Sequence, residues 1–550
     1  MATLNFKGKA FVQNHHLLVK YHQLVPCKEK SLTDKVSLHD NLIIHGDNLK
    51  ALKALLPTYG GKIKCIYIDP PYNTGNENWV YNDNVNSPMM QDWLGKVVDK
   101  ECLTRHDKWL CMMTPRLKLM RELLSPDGII AVTIDDNEVF DLGLLMDEIF
   151  GEDKKLACAP WLAEPSGGKE KTGLRGGHEY VLIYHNGDSS SITQEERSTG
   201  ELNQKDKLGP YRKGRELRKW GGVSLRSDRP GQWFPLTAPD GTKVFPIRND
   251  GKEGHWRWGK QNVKMGQILK DHNLAHWEKR PYDRGITYKG ESERWVPYEK
   301  IRDKKRSVGW GTWLDSYGFN ADGTRELKEV FGKKLFDTPK PTSLIQWIVS
   351  LHCDDDAIVL DSFPGSGTAA HAVVALNEED GGNRRFVLIE CEDYADKITA
   401  ERVRRVIKGV PSAKDEKLKQ GLGGSFSYFE LGEPIEMESI LSGDDLPTYK
   451  ELARYVFYTA TGEEFDESVV DEKKHFIGES KEYLVYLFYE PSLEYLKKTA
   501  LTLDRATALG PYKNKRRLVF AATKYLDQRH LDELRIDFAQ LPFEIYQLAK

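Results

Sequence analysis

Short apolar runs alternate with helical patterns along most of the chain. Apolar runs of strand length lie at residues 42–45, 66–68, 129–134, 179–184, 357–361 and 386–389. Spacing typical of helices follows or precedes these runs, at about 49–56, 109–124, 369–376 and 394–407. This alternation predicts an α/β fold with an open sheet, which places ligands at the carboxyl ends of its strands.

The alternation is interrupted from about residue 187 to residue 336. Residues 201–320 hold 26 Lys and Arg against 15 Asp and Glu, and eight of the thirteen Trp. Because the whole chain carries −3, this window of +11 leaves −14 elsewhere. Aromatics interleaved with positive charge, as in residues 255–258, suit a surface that meets phosphates and bases. The alternative is a small aromatic-cored domain with a solvated basic face. The candidate DNA contacts are Arg257, Arg302, Lys304, Lys305 and Arg306.

Length and composition narrow the classes of protein further. A chain of 550 residues predicts two or three domains, and residues after about 411 suggest a separate small α/β unit. No run of eighteen apolar residues and no signal-like start is found, so we expect a cytoplasmic protein without a membrane segment. The seven cysteines show no zinc-type spacing, and no structural metal is expected.

The first chemical candidate follows the apolar run at 66–68. Asp69, Pro70, Pro71 and Tyr72 form a stiff loop, since the two prolines fix φ and remove donors that a strand would need. Such a loop suits an exocyclic amino group on a base turned out of its helix. Tyr72 can stack on the base, while the Asp69 carboxylate and the Pro70 carbonyl can accept the amino hydrogens. The alternative is an ordinary strand end with a Pro-Pro turn.

The second candidate is a glycine turn after the apolar run at 357–361. Its backbone can approach a ligand closely, and the next apolar run ends in Glu390, whose carboxylate can accept hydrogen bonds from both ribose hydroxyls of an adenosyl cofactor. The turn matches neither the dinucleotide nor the triphosphate motif. The candidate cofactor contacts of the turn are Asp361, Phe363, Gly365, Gly367 and Thr368.

Four segments of the chain carry a resemblance to a known family: residues 69–75, 46–49, 256–258 and 338–341. The chain resembles the β-class DNA amino-methyltransferases that use S-adenosyl-L-methionine, and within them the modification subunit of type III restriction–modification systems. The resemblance implies a Rossmann-like doubly wound sheet with a circularly permuted motif order. The resemblance covers roughly residues 40–410, and the expected domains are a catalytic half at 1–186, a target-recognition domain at 187–337 and a cofactor half at 338–410. Residues 411–550, which the resemblance does not cover, are expected to form a C-terminal domain.

The resemblance also assigns further residues. Asp47 is expected beside the adenine of the cofactor, with a helix N-cap as the alternative. Lys340 and Pro341 match the motif that packs against the methionine end of the cofactor, with a plain Pro-capped helix start as the alternative. The family transfers methyl groups directly, with no covalent enzyme intermediate.

The expected reaction is N6 methylation of a flipped adenine in double-stranded DNA. Asp rather than Ser at position 69 favours adenine over cytosine N4, which uses the same chemistry. A DNA-binding module without turnover and an RNA methyltransferase are further alternatives. The resemblance implies double-stranded DNA, a second copy of the chain, and a restriction or other phage-defence subunit as partners, with residues 411–550 available for dimerisation or partner contact.

Overall fold

The computed structural model describes residues 4–74, 105–167, 173–187, 192–435, 446–512 and 514–541, so Gly75 of the loop motif lies outside them. The chain forms two compact units, one made of residues 1–193 and 311–550 and the other of residues 194–310. Within the described residues, no helix combines the length and apolarity that crossing a membrane requires.

The strands of both units are numbered together along the chain. They are β1 (His22–Pro26), β2 (Leu42–His45), β3 (Ile63–Ile68), β4 (Leu124–Ile134), β5 (Lys155–Leu162), β6 (His178–His185), β7 (Glu195–Ser198), β8 (Gln204–Asp206), β9 (Gly209–Glu216), β10 (Leu236–Thr237), β11 (Lys243–Val244), β12 (Ala275–Pro281), β13 (Glu293–Ile301), β14 (Lys305–Val308), β15 (Ile358–Asp361), β16 (Arg385–Glu390), β17 (Ser427–Pro434), β18 (Phe476–Glu479), β19 (Tyr483–Phe488), β20 (Arg516–Ala521) and β21 (Ile536–Gln540).

The α-helices are numbered in the same way. They are α1 (Lys9–Val12), α2 (His15–Leu18), α3 (Asn48–Tyr59), α4 (Arg105–Leu123), α5 (Val139–Phe150), α6 (Val263–Lys270), α7 (Asn320–Phe331), α8 (Thr342–Ser350), α9 (Thr368–Asp380), α10 (Glu401–Lys408), α11 (Glu416–Gln420), α12 (Tyr449–Thr461), α13 (Leu493–Lys498), α14 (Leu503–Ala508) and α15 (Gln528–Glu533).

The larger unit is built on a nine-stranded sheet in the order β1-β17-β2-β16-β15-β3-β4-β6-β5. The strands from β17 to β4 are parallel, whereas β1, β5 and β6 run antiparallel to their neighbours. The inner strands are continuous apolar runs, with Phe386–Ile389 fully buried, as expected for strands covered on both faces. The predicted α/β fold is confirmed, and the carboxyl ends of β2, β16, β15, β3 and β4 meet at one edge.

The centre of this sheet joins distant parts of the chain. β15 pairs in parallel with β3, so that Val359 lies opposite Cys65 and Leu360 opposite Ile66. β16 pairs with β2 on the other side. The predicted catalytic loop after β3 and the predicted glycine turn after β15 therefore leave the sheet side by side.

Residues 411–550 were expected to form one separate domain, but the structure divides them between two sheets. β17 lies within the stretch 411–550 that was expected to be a separate domain, yet it pairs with β1 and β2 in the main sheet. A smaller four-stranded sheet, β18-β19-β20-β21, follows it, with β19, β20 and β21 parallel. The ring of Tyr455 on α12 packs 4.8 Å from that of Tyr21, which ties this part to the larger unit.

The unit at residues 194–310 is shorter than the predicted domain at 187–337, and α7 belongs to the larger unit. It contains small antiparallel sheets around a core that includes Phe234 and Trp256. Of the two interpretations given for residues 255–258, the aromatic core describes His255 and Trp256, because both are buried and the Trp256 indole donates to the Phe234 carbonyl at 2.8 Å. Their large rings fill a core that has few helices to supply apolar area.

Candidate active site

The loop after β3 holds its carboxylate in a fixed position. Asp69 Oδ1 accepts hydrogen bonds from the hydroxyl of Thr133 on β4 at 2.6 Å and from the hydroxyl of Tyr72 at 2.9 Å. Burial raises the pKa of Tyr72 well above its usual value, and the neighbouring acids raise it further, so its hydroxyl stays a donor. The carboxylate is thus oriented before any substrate arrives.

The two prolines of the loop have different surroundings. The carbonyl of Pro71 accepts the indole N–H of Trp109, a fully buried residue of α4, at 2.7 Å. No donor among the described residues reaches the carbonyl of Pro70. The use of the Pro70 carbonyl as an acceptor for substrate stays a prediction, while the Pro71 carbonyl already accepts a hydrogen bond from the protein.

Asn73 ends the loop in the left-handed region, with φ 54. Its side-chain amide donates to the carboxylate of Glu138, which is fully buried and also bonds His106 Nδ1 at 2.7 Å. Burial raises the pKa of Glu138, although Asn73 and His106 oppose that shift. His106, Glu138 and Asp141 lie close enough to share a metal ion, but the observed bonds of Glu138 serve to fix the loop.

A cation lies in the same corner. Lys340 is 7% exposed, and its ammonium lies 2.9 Å from Asp69 Oδ2, 3.5 Å from Glu179 Oε2 and 4.8 Å from the centre of the Tyr72 ring. Burial opposes the charge, but Asp69 and Glu179 outweigh it and raise the pKa of Lys340. Its predicted contact with the cofactor stays a prediction; the structure gives it partners in the catalytic loop.

Sequence reasoning missed Glu179. This residue is the second of the antiparallel strand β6, and its Oε2 lies 2.8 Å from the Tyr72 hydroxyl, whose single proton can go to Glu179 or to Asp69. Asn320 donates to its Oε1 at 3.2 Å. Because β6 runs opposite to its neighbour β4, its first residues lie at the edge where the parallel strands end. An acid at the start of a strand that follows a glycine-rich segment was the signal that could have identified it.

The acids after β15 and β16 are more deeply buried. Glu390 is fully buried, and burial raises its pKa to about 7. Asp361 is 2% exposed, and burial, together with repulsion from Asp69 and Glu390, raises its pKa well above the usual range although the amide of Phe363 donates to it. Glu390 Oε2 and the hydroxyl of Ser362 are buried with no hydrogen-bond partner among the described residues.

The glycine turn packs on the chain that follows β16. Gly367 has φ 82, and a Cβ there would lie 3.0 Å from the backbone oxygen of Thr399. A Cβ on Gly365, with φ 50, would lie 2.8 Å from the ring of Phe336. The hydroxyl of Thr368 accepts a hydrogen bond from buried Arg402 at 2.7 Å. The glycines are therefore required by the fold itself, and Thr368 is engaged by the protein.

Two other predicted cofactor residues lie at helix starts. Asp47 is the N-cap of α3, where its carboxylate accepts the amide of Lys50 at 3.0 Å. Pro341 is buried at the start of α8, whose first amide, on Thr342, donates to Glu326 at 3.0 Å. The alternatives given for both residues describe their local structure, and their cofactor contacts stay predictions.

The predicted DNA contacts all lie in the unit at 194–310 and are not equivalent. Arg302 is paired with Asp206 at 2.7 Å, and Lys305 with Glu196 at 2.9 Å. Lys304 and Arg306 are exposed, and neither forms an ion pair with any residue in the described part of the chain. Arg257 is half-buried and stacks on Trp258, with 5.3 Å between guanidinium and ring centre.

The profile described as DNA methylase matches residues 63–401, from β3 to the start of α10, and includes both the loop of Asp69 and the strand of Glu390. The chain belongs to this DNA methylase family. A relative from Escherichia phage P1, the EcoPI Mod subunit of a type III restriction–modification enzyme, is 31% identical over 80% of this chain and 73% of its own. The StyLTI Mod subunit of Salmonella typhimurium is 30% identical over 84% and 70%.

A type II member of the same class is also similar to this DNA methylase. Methyltransferase M.KpnI of Klebsiella pneumoniae is 34% identical over 66% of this chain and 82% of its own. The solved complex of M1.HpyAVI with SAM covers 66% of this chain and 98% of its own at 13% identity, with a TM-score of 0.29, too low to add to the assignment.

DNA methylases of this family use S-adenosyl-L-methionine, and the residues of this chain fit that cofactor. The unpartnered Glu390 Oε2 and Ser362 hydroxyl are buried polar atoms that a ligand with hydroxyl and amino groups can satisfy. Glu390 ends β16 and Ser362 follows β15, which pairs with β16 on one side and with β3 on the other, so an adenosyl group held there would lie on the side of β15 away from the loop after β3 or across its end. Glu390 would hold the ribose, and the turn after Asp361 would hold the methionine portion.

Proposed function

We propose that this methylase transfers a methyl group to the N6 amino group of an adenine turned out of double-stranded DNA, as the modification subunit of a type III-like restriction–modification system. One observation carries the proposal. The Asp69 carboxylate, the Tyr72 ring and the Pro70 carbonyl, which accepts no hydrogen bond from a described residue, lie together after β3, and β3 pairs with β15, which ends in Asp361. The RNA alternative lacks a comparable observation, and competition between duplex DNA and structured RNA tests it.

The chain's own residues supply the activation of the amino nitrogen. Asp69 and Pro70 accept its two hydrogens, which frees the lone pair from the ring and favours the positive charge that develops on nitrogen. Stacking on Tyr72, worth about 1–3 kcal/mol, offsets part of the cost of extruding the base. S-adenosylmethionine, when bound, would supply the methyl group from its positively charged sulfur. The methylated nitrogen would then lose one proton, which the Asp69 carboxylate or solvent would accept.

The modified base decides between adenine and cytosine. An aspartate at position 69 supports adenine, whereas cytosine N4 methylation uses the same acceptors. DNA from cells expressing the protein should contain N6-methyladenine by nucleoside analysis, and single-molecule sequencing should place it in one motif. Finding N4-methylcytosine instead would show that the target base is cytosine. Finding neither base, and no transfer by purified protein with radiolabelled cofactor, would show that the protein binds DNA without methylating it.

We assign target recognition to the unit at 194–310. Its net charge of +11 within a chain of −3 supports contact with the DNA backbone. Its exposed cations Lys304 and Arg306 are available for phosphates without breaking an ion pair within the described chain. Exchanging residues 194–310 for those of a relative that methylates another motif should transfer the motif preference, whereas an unchanged motif would contradict the assignment.

The relatives named as Mod subunits support a partner subunit as well. We infer that the chain forms a homodimer and binds a restriction subunit, and that the region around β18–β21, which has its own core, provides a contact surface. Light scattering of the purified chain should give twice the monomer mass. Removal of residues 446–550 should abolish a copurifying partner while main-sheet folding persists, and retention of the partner would place the contact elsewhere.

A further inference from the structure

The ammonium of Lys340 occupies the place that the proposed reaction requires for the base. It lies 2.9 Å from Asp69 Oδ2 and 4.8 Å from the centre of the Tyr72 ring, the two groups that would bind the amino group and stack on the purine. An ammonium is a strong donor, so it satisfies the acceptor before substrate arrives. Its charge also opposes the positive charge that develops on the amino nitrogen.

Glu179 offers the ammonium a second partner. Its Oε2 is 3.5 Å from Lys340 Nζ, and its other oxygen is held by Asn320 at 3.2 Å. The Tyr72 hydroxyl lies within hydrogen-bond distance of both Asp69 and Glu179 and so keeps the two carboxylates on either side of the cation. A movement of less than about 1 Å brings the ammonium to bonding distance of Glu179.

We propose that Glu179 is a positioning residue that receives the Lys340 ammonium when the target base enters, which releases Asp69 to accept the amino hydrogens. The inference rests on the proposed function and deepens it. With two carboxylates and one ammonium, the cluster keeps a net charge of −1, and that charge favours a positively charged amino nitrogen. Without Glu179, the ammonium and Asp69 form a neutral pair that the base must break.

The pH dependence of Glu179→Gln tests this assignment. In this variant Lys340 has no second carboxylate, so at neutral pH kcat/KM should fall about tenfold or more. Because Asp69 still raises the pKa of Lys340 in this variant, the activity should rise only toward alkaline pH, where Lys340 begins to lose its proton and leaves Asp69. Adding Lys340→Met should restore part of the activity and remove that rise. Asp136→Asn, at an exposed acid of the neighbouring strand end, is the matched control and should leave the profile unchanged.

Base entry gives a readout that does not require transfer. With 2-aminopurine at the target position of the motif found by sequencing, Glu179→Gln should reduce the fluorescence increase on binding, and the double variant should recover it. Normal thermal melting and normal cofactor binding by calorimetry would show that each variant is folded. A Glu179→Gln protein with wild-type activity and profile, or a double variant worse than either single variant, would overturn the inference. A wild-type protein without transfer would instead overturn the proposed function.

Discussion

The candidate active site has two parts, a catalytic corner in the loop after β3 and a cofactor corner after β15 and β16, and they stabilise buried charge in opposite ways. After β3, every oxygen of Asp69 already has a partner: Thr133 and Tyr72 on one side and Lys340 on the other. After β15 and β16, Asp361 and Glu390 are more deeply buried, and their raised pKa values reflect burial without a cation in contact. One corner is completed by the chain, and the other leaves acceptors for a ligand.

The difference indicates that the catalytic corner is preorganised by the protein, whereas the cofactor corner is arranged to bind a ligand. A buried carboxylate that is fully bonded keeps its orientation and charge but must exchange a partner when substrate enters. A buried carboxylate with one oxygen unpartnered, such as Glu390, whose Oε1 accepts the amide of Glu392 at 3.0 Å while Oε2 has no partner among the described residues, destabilises the folded chain. It recovers that free energy when a ligand supplies the missing hydrogen bond. We therefore expect changes in the catalytic corner to affect turnover, and changes in the cofactor corner to affect affinity and stability together.

The largest expected effect is that of Asp69→Ala. Loss of the acceptor should reduce methyl transfer by about 10²–10³-fold or more, while the cofactor corner is untouched. Calorimetry should show S-adenosylmethionine binding close to that of the wild type. Equal loss of cofactor affinity would remove the distinction between the two corners, and Asp136→Asn again serves as the control.

Glu390→Gln tests the other corner and should have two opposite consequences. Loss of charged acceptors for the ribose should weaken cofactor binding by about 10–100-fold. In the native state the pKa of Glu390 is about 7 rather than 4.5, so the unfolded chain releases this proton first and the cofactor-free protein loses stability as pH rises between these values.

The Glu390→Gln protein should not lose stability in this way, because glutamine has no proton to release. At pH 8 the cofactor-free Glu390→Gln protein should be more stable than the wild type by about 1–3 kcal/mol, and the difference should vanish near pH 4.5. Melting curves at both pH values measure it. Glu379→Gln, an exposed acid on α9, is the matched control. A lower melting temperature at pH 8 would mean that Glu390 has partners beyond those observed.

Gly367→Ala should damage the cofactor corner through the fold. With φ 82 and only 3.0 Å to the Thr399 oxygen, an added Cβ should cost about 1–3 kcal/mol in the free energy of unfolding. Gly381→Ala is the control, because its φ is 77 but nothing lies within 4 Å of the added Cβ. Denaturant titration of both variants separates backbone strain from the Thr399 contact, and equal losses would leave strain alone as the cause.

The smallest expected effect concerns surface cations of the unit at 194–310, some already paired with an acid and some not. Lys304→Ala and Arg306→Ala should each lower the log-log slope of DNA affinity against salt by about 0.9 and leave the motif unchanged. Arg302→Ala and Lys305→Ala should lower it less, because Asp206 and Glu196 already pair these cations. Fluorescence anisotropy across a salt series measures the four slopes. Equal slopes for all four variants would show that the ion pairs open on DNA.

The fold and the strand-end positions of the acids in both corners could be predicted from the sequence, because they depend on the pattern of apolar residues within each short segment. Apolar runs that end in Asp69, Asp361 and Glu390 must place these residues at strand ends, whatever the strand order. The strand at β4 begins earlier than predicted, at Leu124, because the pairing with β3 continues past Pro126 through an irregularity in register.

Contacts between distant residues could not be predicted in the same way. Lys340 reaches Asp69 only because β15 lies beside β3, and Glu179 enters the cluster only because β6 reverses direction. The place of Trp256 in the core was left open, because a pattern of aromatic and basic residues does not tell a core ring from an exposed one. Contacts that depend on strand order, and burial in a small core, leave no pattern in the neighbouring sequence.

The position of β17 has a consequence for synthesis of the protein. This strand lies between β1 and β2, although it is made almost four hundred residues after them. On a translating ribosome, β1 and β2 wait on the order of a minute for the strand that separates them. We expect the nascent chain to keep these edges exposed to chaperones or to other chains during that time, and a protein cut short before residue 427 to aggregate rather than accumulate as a partly active methylase.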